Sequence, residues 1–294
     1  MKHTMKLFFK NKLAFSGFVV MMIYFFIALL DFVYPQYLGV TNANTMLSFL
    51  YGQQPQLVPP SPPTLSKGIM YIFGTTQYGI PVLPAMLAAL KFDMAYSIAI
   101  VAIGVAIGMV IGTASGYLGG MVDEFMMRIT DIFFSIPQIV LALAIIYTLG
   151  DNFIFIVVAF MIIWWPIYAR LSRSLALSTK EMRYVEAATA SGSSKFRNIF
   201  VHVFPNVLSP IFVQISLDIG IIVQLFASLE FIGLNRGNPY LPELGILINW
   251  GNQYIVYGAW WPIIIPSIFL VVFTIAVSVM GDGLRDVLDP KLRR

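Results

Sequence analysis

Residues 94–118 read MAYSIAIVAIGVAIGMVIGTASGYL, an unbroken run without a charged side chain. A helix rises about 1.5 Å per residue and the hydrocarbon core of a bilayer is about 30 Å thick, so about 20 mostly apolar residues cross it. The run is long enough to do so. Five further stretches qualify by the same measure: Leu13 to Leu30, Ile132 to Gly150, Asn152 to Ala169, Asn206 to Ser228 and Gly258 to Gly281, with Asp218 interrupting the Asn206 stretch. Of the 294 residues only 11% are charged, against about 25% in soluble domains. A water-soluble globule is excluded, and so are disordered and collagen-like chains, which need high charge or glycine at every third position. The reading is an all-α polytopic membrane protein with six spans.

Lys and Arg are retained on the cytoplasmic side of a membrane. With six spans and both termini cytoplasmic, fifteen of the eighteen Lys and Arg residues fall inside, and only Lys67, Lys91 and Arg236 fall outside. The uncharged stretch Gly68 to Leu90 competes as a seventh span, but Gly68, Gly74, Gly79, Pro81 and Pro84 interrupt it. Counting it would expel the most basic loop. The expected organisation is a basic segment 1–12, a first span within 13–34 and an extracytoplasmic loop 35–93. A core 94–281 follows, containing the cytoplasmic loop 170–205 and the extracytoplasmic segment 229–257, and then a cytoplasmic tail 282–294. The first span is read as a retained anchor, since Asp31-Phe32-Val33-Tyr34-Pro35 offers no small-residue cleavage site. Ahead of it Lys2, Lys6 and Lys10 share one helical face while Met5, Phe8 and Phe9 lie elsewhere; this suits a segment in the headgroup layer, with a frayed basic tail as the alternative. The loop part Pro55 to Pro63 is expected to be extended and polyproline-like, in reach of an extracytoplasmic partner.

Gly104, Gly108, Gly112, Gly116 and Gly120 recur at a spacing of four. Such a stripe lets another backbone approach closely, the main source of helix association in lipid. It serves either packing inside one subunit or a seam that slides or lines a pathway. Asp218, with Gln214 one turn earlier, is the clearest ionisable group within a span, and Glu230 stands near the outer end of the same helix. Buried charges in bilayers are costly and draw functional suspicion. Gln214 and Asp218 are therefore candidate pathway-lining residues, the alternative being hydrogen-bonded packing.

The loop Arg170 to Pro205 is the most informative. Ser178 and Glu181 fit a capping box, so a helix is expected from about Thr179 to Gly192, where glycine takes the left-handed position that ends it. Ser193 or Ser194 then caps a second helix through Phe196, Ile199 and Phe200, ending at Pro205. Ala187, Ala188 and Ala190 keep the first helix thin, and Met182, Val185 and Thr189 give it a modest apolar edge. A short exposed helix of this kind suits a groove on another protein.

The inventory for catalysis is poor. There is no cysteine, only His3 and His202, and no G-x-x-x-x-G-K-[ST] loop; Gly192-Ser193-Ser194-Lys195 lacks the spacing to wrap a phosphate. No catalytic, metal or cofactor residue is assigned, and any nucleotide hydrolysis belongs to another chain.

At Glu186-Ala187-Ala188, then Gly192, then His202-Val203-Phe204-Pro205-Asn206, the sequence resembles the cytoplasmic signature of permease subunits in binding-protein-dependent ABC importers, in the dipeptide, oligopeptide and nickel branch. Phe73-Gly74-Thr75, Tyr117-Leu118-Gly119-Gly120 with Val122-Asp123-Glu124, Met127-Arg128 with Asp131, and Ser228-Leu229 with Phe231-Ile232-Gly233-Leu234 are similar to that branch too. The tail Gly281-Asp282-Gly283-Leu284-Arg285-Asp286 with Leu288-Asp289-Pro290 resembles its second permease. The resemblance implies the type I importer permease fold in a prokaryotic cell membrane. It also implies a sister permease, two cytoplasmic ATPases that hold the ATP and Mg, an external substrate-binding protein, and no nucleic-acid partner. It makes Tyr184 to Gly192 the coupling helix: Tyr184 and Glu186 at the ATPase groove, Ala187 and Ala188 permitting close approach, Gly192 making the turn.

Ile80-Pro81 stand where relatives often carry Arg-Asp, Glu230 replaces a small residue, and Leu244-Gly245 replace a common Trp-Gly. These departures bear on the external contact and the cargo, for which peptides are expected, with nickel, glutathione or oligosaccharides as alternatives. Two other classes compete: an ion-coupled carrier or channel, disfavoured by the lack of paired intramembrane charges and repeated broken helices, and a membrane-embedded enzyme, disfavoured by the missing reactive groups.

Overall fold

The computed structural model describes residues 11–33, 57–150, 153–234 and 243–288. The expected headgroup-layer segment, Lys2 to Lys10, lies outside them, as do residues 35–56 of the first loop, Arg236 and the last part of the tail from Asp289. The described chain is helical: α1 (Lys12–Val33), α2 (Val82–Leu118), α3 (Gly120–Ser135), α4 (Gln138–Leu149), α5 (Phe153–Lys180), α6 (Arg183–Ala190), α7 (Phe204–Phe231), α8 (Leu244–Asn252) and α9 (Trp261–Leu288). Among the described residues α1, α2, α5, α7 and α9 are long and apolar enough to cross a membrane, and α3 with α4 makes a sixth crossing if that bent pair is one span.

The third expected span is thus not one straight helix. α3 and α4 meet at 88°. Pro137 has no N–H to donate and disfavours helical geometry in the residue before it, and Ile136 is indeed extended at φ −111°, ψ 130°. The second span also begins at Val82 rather than Met94, so the second half of the competing stretch Gly68 to Leu90 is the start of α2 and forms no separate span. Pro81 precedes the helix and Pro84 lies in its first turn, where the backbone N–H groups have no intrahelical partner to lose. The charged residues that suggested a boundary have partners: Lys91 Nζ pairs with the buried Asp31 of α1 at 2.8 Å, and Asp93 accepts a hydrogen bond from the Leu244 N–H at 3.3 Å. α5 likewise continues past Ala169 to Lys180, and α9 runs through Gly281 into the expected tail.

The α2–α5 pair is the most extensive contact in the bundle. Its seam is made by the glycine stripe. A Cβ on Gly104 would touch Trp164; on Gly108 or Gly112 it would overlap the main chain of Trp165 or Ala169, and on Gly116 it would lie 2.7 Å from the Arg173 carbonyl. The stripe therefore packs within the subunit. Gly120 departs from it: its φ is +57°, a Cβ there would meet nothing within 4 Å, and it opens α3. The core beneath the seam holds Phe160, Trp164, Tyr168, Ile211 and Phe226, all buried. α1 lies against α9, where a Cβ on Gly17 would stand 2.8 Å from the Ala276 carbonyl and Tyr24 Oη donates to the Phe269 carbonyl at 3.0 Å.

The two ends of the bundle differ. At one, residues 57–81 form a shelf over α8 and the start of α9: Val58 N–H donates to Gln77 O at 2.8 Å, Thr75 N–H to Ser61 O at 3.0 Å, and Trp261 Nε1 to Thr75 O at 3.2 Å. Gly74 is required there, with φ +72° and a Cβ position 2.6 Å from Ser61 O. The described part of the proline-rich stretch, from Leu57, has neither helix nor strand. At the other end sits α6.

A candidate coupling surface between two spans

α6 is short because both of its ends are set by local chemistry. The expected capping box does not form: Ser178 lies inside α5 and donates its hydroxyl to the Leu175 carbonyl at 2.9 Å, so α5 continues to Lys180 and α6 starts only at Arg183, after an extended Met182 without a side-chain cap. Glu186 in the first turn faces the positive end of the helix dipole. At the other end Gly192 has φ +84°, its N–H donates to Thr189 O at 3.0 Å and the Ser193 N–H donates to Ala188 O at 3.0 Å. These are the two bonds of a Schellman turn, which needs a residue tolerant of the left-handed region.

Of the α6 side chains only Val185 is buried, plugged into the main core. Tyr184, Glu186 and Ala187 are exposed and Ala188 is half-buried. The structure thus places Tyr184, Glu186, Ala187 and Ala188 on α6 and Gly192 in the turn that follows it, beside a cleft of about 640 Å³ lined by Tyr117, Lys180, Glu186, Thr189, Lys195 and Asn198. Ser194 caps the next turn, accepting the Arg197 N–H at 3.3 Å, but Pro205 does not end the second helix. The chain passes through a π-helical segment, Asn198–Val203, and continues helical into α7, the Phe204 N–H donating to the Ile199 carbonyl just before Pro205.

Behind this surface the helix ends are tied by polar contacts absent from the sequence reading. Arg173 of α5 holds Asp123 of α3 with two bonds, Nη2 to Oδ2 at 2.6 Å, and Ser115 of α2 donates to the same carboxylate at 2.5 Å. Arg170 reaches Asp131 at 2.6 Å, and Lys180 Nζ donates to the Gly116 carbonyl at 3.0 Å. Asn198, fully buried, joins Tyr117 and Thr189. The available signal was an amide in an otherwise apolar and basic stretch, Phe196 to Phe200.

Gln214 and Asp218 lie apart from α6, within the bundle. Asp218 is 1% exposed and accepts from Trp164 Nε1 at 2.9 Å and from Gln214 Nε2 at 2.7 Å, while Gln214 is half-buried. At the shelf end the departures found in the sequence meet: a Cβ on Gly245 would fall 2.7 Å from the buried Glu230 carboxylate, and Leu244 donates to Asp93.

Residues 104–294 match the family described as binding-protein-dependent transport system inner membrane component. Among curated proteins, the chain is 34% identical over 236 residues to the probable D,D-dipeptide transport system permease protein DdpC of Escherichia coli (strain K12), covering 80% of this chain and 76% of that one. It is 35% identical over 220 residues to the glutathione transport system permease protein GsiD of Pectobacterium atrosepticum, covering 75% and 72%. It is 31% identical over 287 residues to the dipeptide transport system permease protein DppC of Escherichia coli (strain K12), covering 97% and 91%. With its membrane-spanning bundle and its exposed turn at Gly192, this chain belongs to the inner-membrane permease family of binding-protein-dependent ABC importers, and it is a multi-pass protein of the cell membrane.

Proposed function

We propose that this chain forms, with a sister permease, the pathway of an importer for small peptides, driven by ATP hydrolysed on two cytoplasmic ATPase subunits that dock on α6. An external binding protein delivers the cargo to the shelf end, both chain termini face the cytoplasm, and the chain itself holds no cofactor. The observation that carries the docking reading is α6: eight residues of which only Val185 is buried, ended by a Schellman turn, with Tyr184, Glu186 and Ala187 exposed. The fifteen of eighteen basic residues that fall on that side support its cytoplasmic placement. Peptide cargo is supported by the dipeptide permeases among the relatives; the glutathione permease keeps that tripeptide as a second cargo. In the pathway, Asp218 is the buried anchor and Gln214 the half-exposed group that it orients toward the wall.

Because the chain has no cysteine, single cysteines report cleanly on sidedness. A cysteine at Ser191 is expected to react with a membrane-impermeant maleimide in inverted vesicles and to stay protected in intact cells, and the reverse result overturns the docking reading. Glu186→Lys and Gly192→Pro are expected to leave the chain inserted while co-purified ATPase falls several-fold. Mass spectrometry of the ligand carried by the purified binding protein decides between a dipeptide and glutathione, and recovery of a metal ion or an oligosaccharide refutes peptide cargo.

A further inference from the structure

We infer that Asn198 is a positioning residue that clasps α6 to the tip of α2 and to the root of α7, so that the three move as one body; this rests on the reading of α6 as the ATPase-docking helix. Asn198 is fully buried and opens the π-helical segment leading into α7. Its Nδ2 donates twice, to Tyr117 Oη at 2.9 Å and to Thr189 Oγ1 at 2.9 Å. The Thr189 hydroxyl spends its own proton on the Val185 carbonyl at 2.9 Å, so it meets Asn198 as an acceptor, and this fixes which end of the amide faces it. Tyr117 is the penultimate residue of α2 and Thr189 lies in the last turn of α6.

One amide therefore joins three segments that the sequence places 81 and 9 residues apart. The geometry gives it leverage. α6 is flanked by two breaks in the helical path, the turn at Glu181–Met182 and Gly192, and only Val185 anchors it in the core. With the amide in place, a rotation of α2 is delivered to α6 through two short directional bonds. With an apolar group at position 198 the volume is filled, but the two hydroxyls lose their common donor and α6 is free to swing about its two turns.

The test uses the full transporter in nanodiscs: this chain with its sister permease and ATPases, plus the purified binding protein. ATP hydrolysis is measured with and without that binding protein, whose signal enters at the shelf end and reaches the ATPases only through the spans. In Asn198→Leu the ATPases still co-purify and basal hydrolysis stays within about twofold, while stimulation by the binding protein falls roughly tenfold, as expected for loss of two part-buried hydrogen bonds. Tyr117→Phe and Thr189→Val each lose part of the stimulation, and Thr189→Ser, which keeps the hydroxyl, retains it. A purely structural role would lower basal hydrolysis and co-purification together. Unchanged stimulation in Asn198→Leu, or a Thr189→Ser variant as impaired as Thr189→Val, overturns the clasp. Absence of ATPases from complexes of the unaltered chain overturns the docking reading instead, and the clasp with it.

Discussion

The α2–α5 seam and the α6 turn are built on opposite plans from the same residue. In the seam, glycine is used for what it lacks: at Gly108 and Gly112 the main chain of α5 occupies the space of a side chain. In the turn, glycine is used for what it permits, since a Cβ at Gly192 would meet nothing within 4 Å and only its φ of +84° matters. The seam cannot shift without breaking dense contact, whereas the turn is held by a few directional bonds and leaves Tyr184, Glu186 and Ala187 exposed.

Substitutions can break that contrast, beginning with the largest effect. Gly112→Leu forces a side chain into the Ala169 backbone and is expected to cost on the order of 3 kcal/mol, seen as a lower melting temperature of the solubilised chain followed by tryptophan fluorescence. Gly192→Ala, with open space but a left-handed backbone, is expected to cost about 1 to 2 kcal/mol confined to the turn, seen as roughly tenfold faster amide exchange at Ala187 to Ser193 with the melting temperature nearly unchanged. Asp218→Ala, which strips Trp164 and Gln214 of their shared acceptor, is expected to cost about 1 kcal/mol, and Asp218→Asn, which keeps one carbonyl, less than half of that in the same melting assay. The smallest effect sharpens the boundary of the turn. Ser194→Ala is expected to lose about 0.5 kcal/mol of local protection at Arg197, while Ser178→Ala leaves α6 exchange unaltered, because Ser178 caps nothing.

The spans and the Gly192 turn were legible because each rests on a short-range rule: apolar length in one case, a φ that only glycine adopts cheaply in the other. What escaped was set by partners distant in sequence or by breakers inside an apolar run. Lys91 and Asp93 looked like the edge of a span, since their partners, the Asp31 carboxylate and the Leu244 N–H, are far along the chain. Pro137 stood in plain view, yet a search for uncharged length passes over it, and the chain bends by 88° there. Ser178 illustrates a local ambiguity: a serine three residues before a glutamate fits a cap, but its hydroxyl is equally able to bond the carbonyl one turn back and let the helix continue. Asn198 had no motif at all. Its role is visible only once Tyr117 and Thr189 stand on either side of it.

α2 runs unbroken for 37 residues, about 55 Å, from the Pro81 end beneath the shelf to Tyr117 beside α6. A rod of that length is a lever: tilting it by about 5° displaces its far tip by about 5 Å, close to one helical turn. Mechanical information can therefore travel the full depth of the molecule as rigid-body motion, with no relay of rearranging side chains along the way.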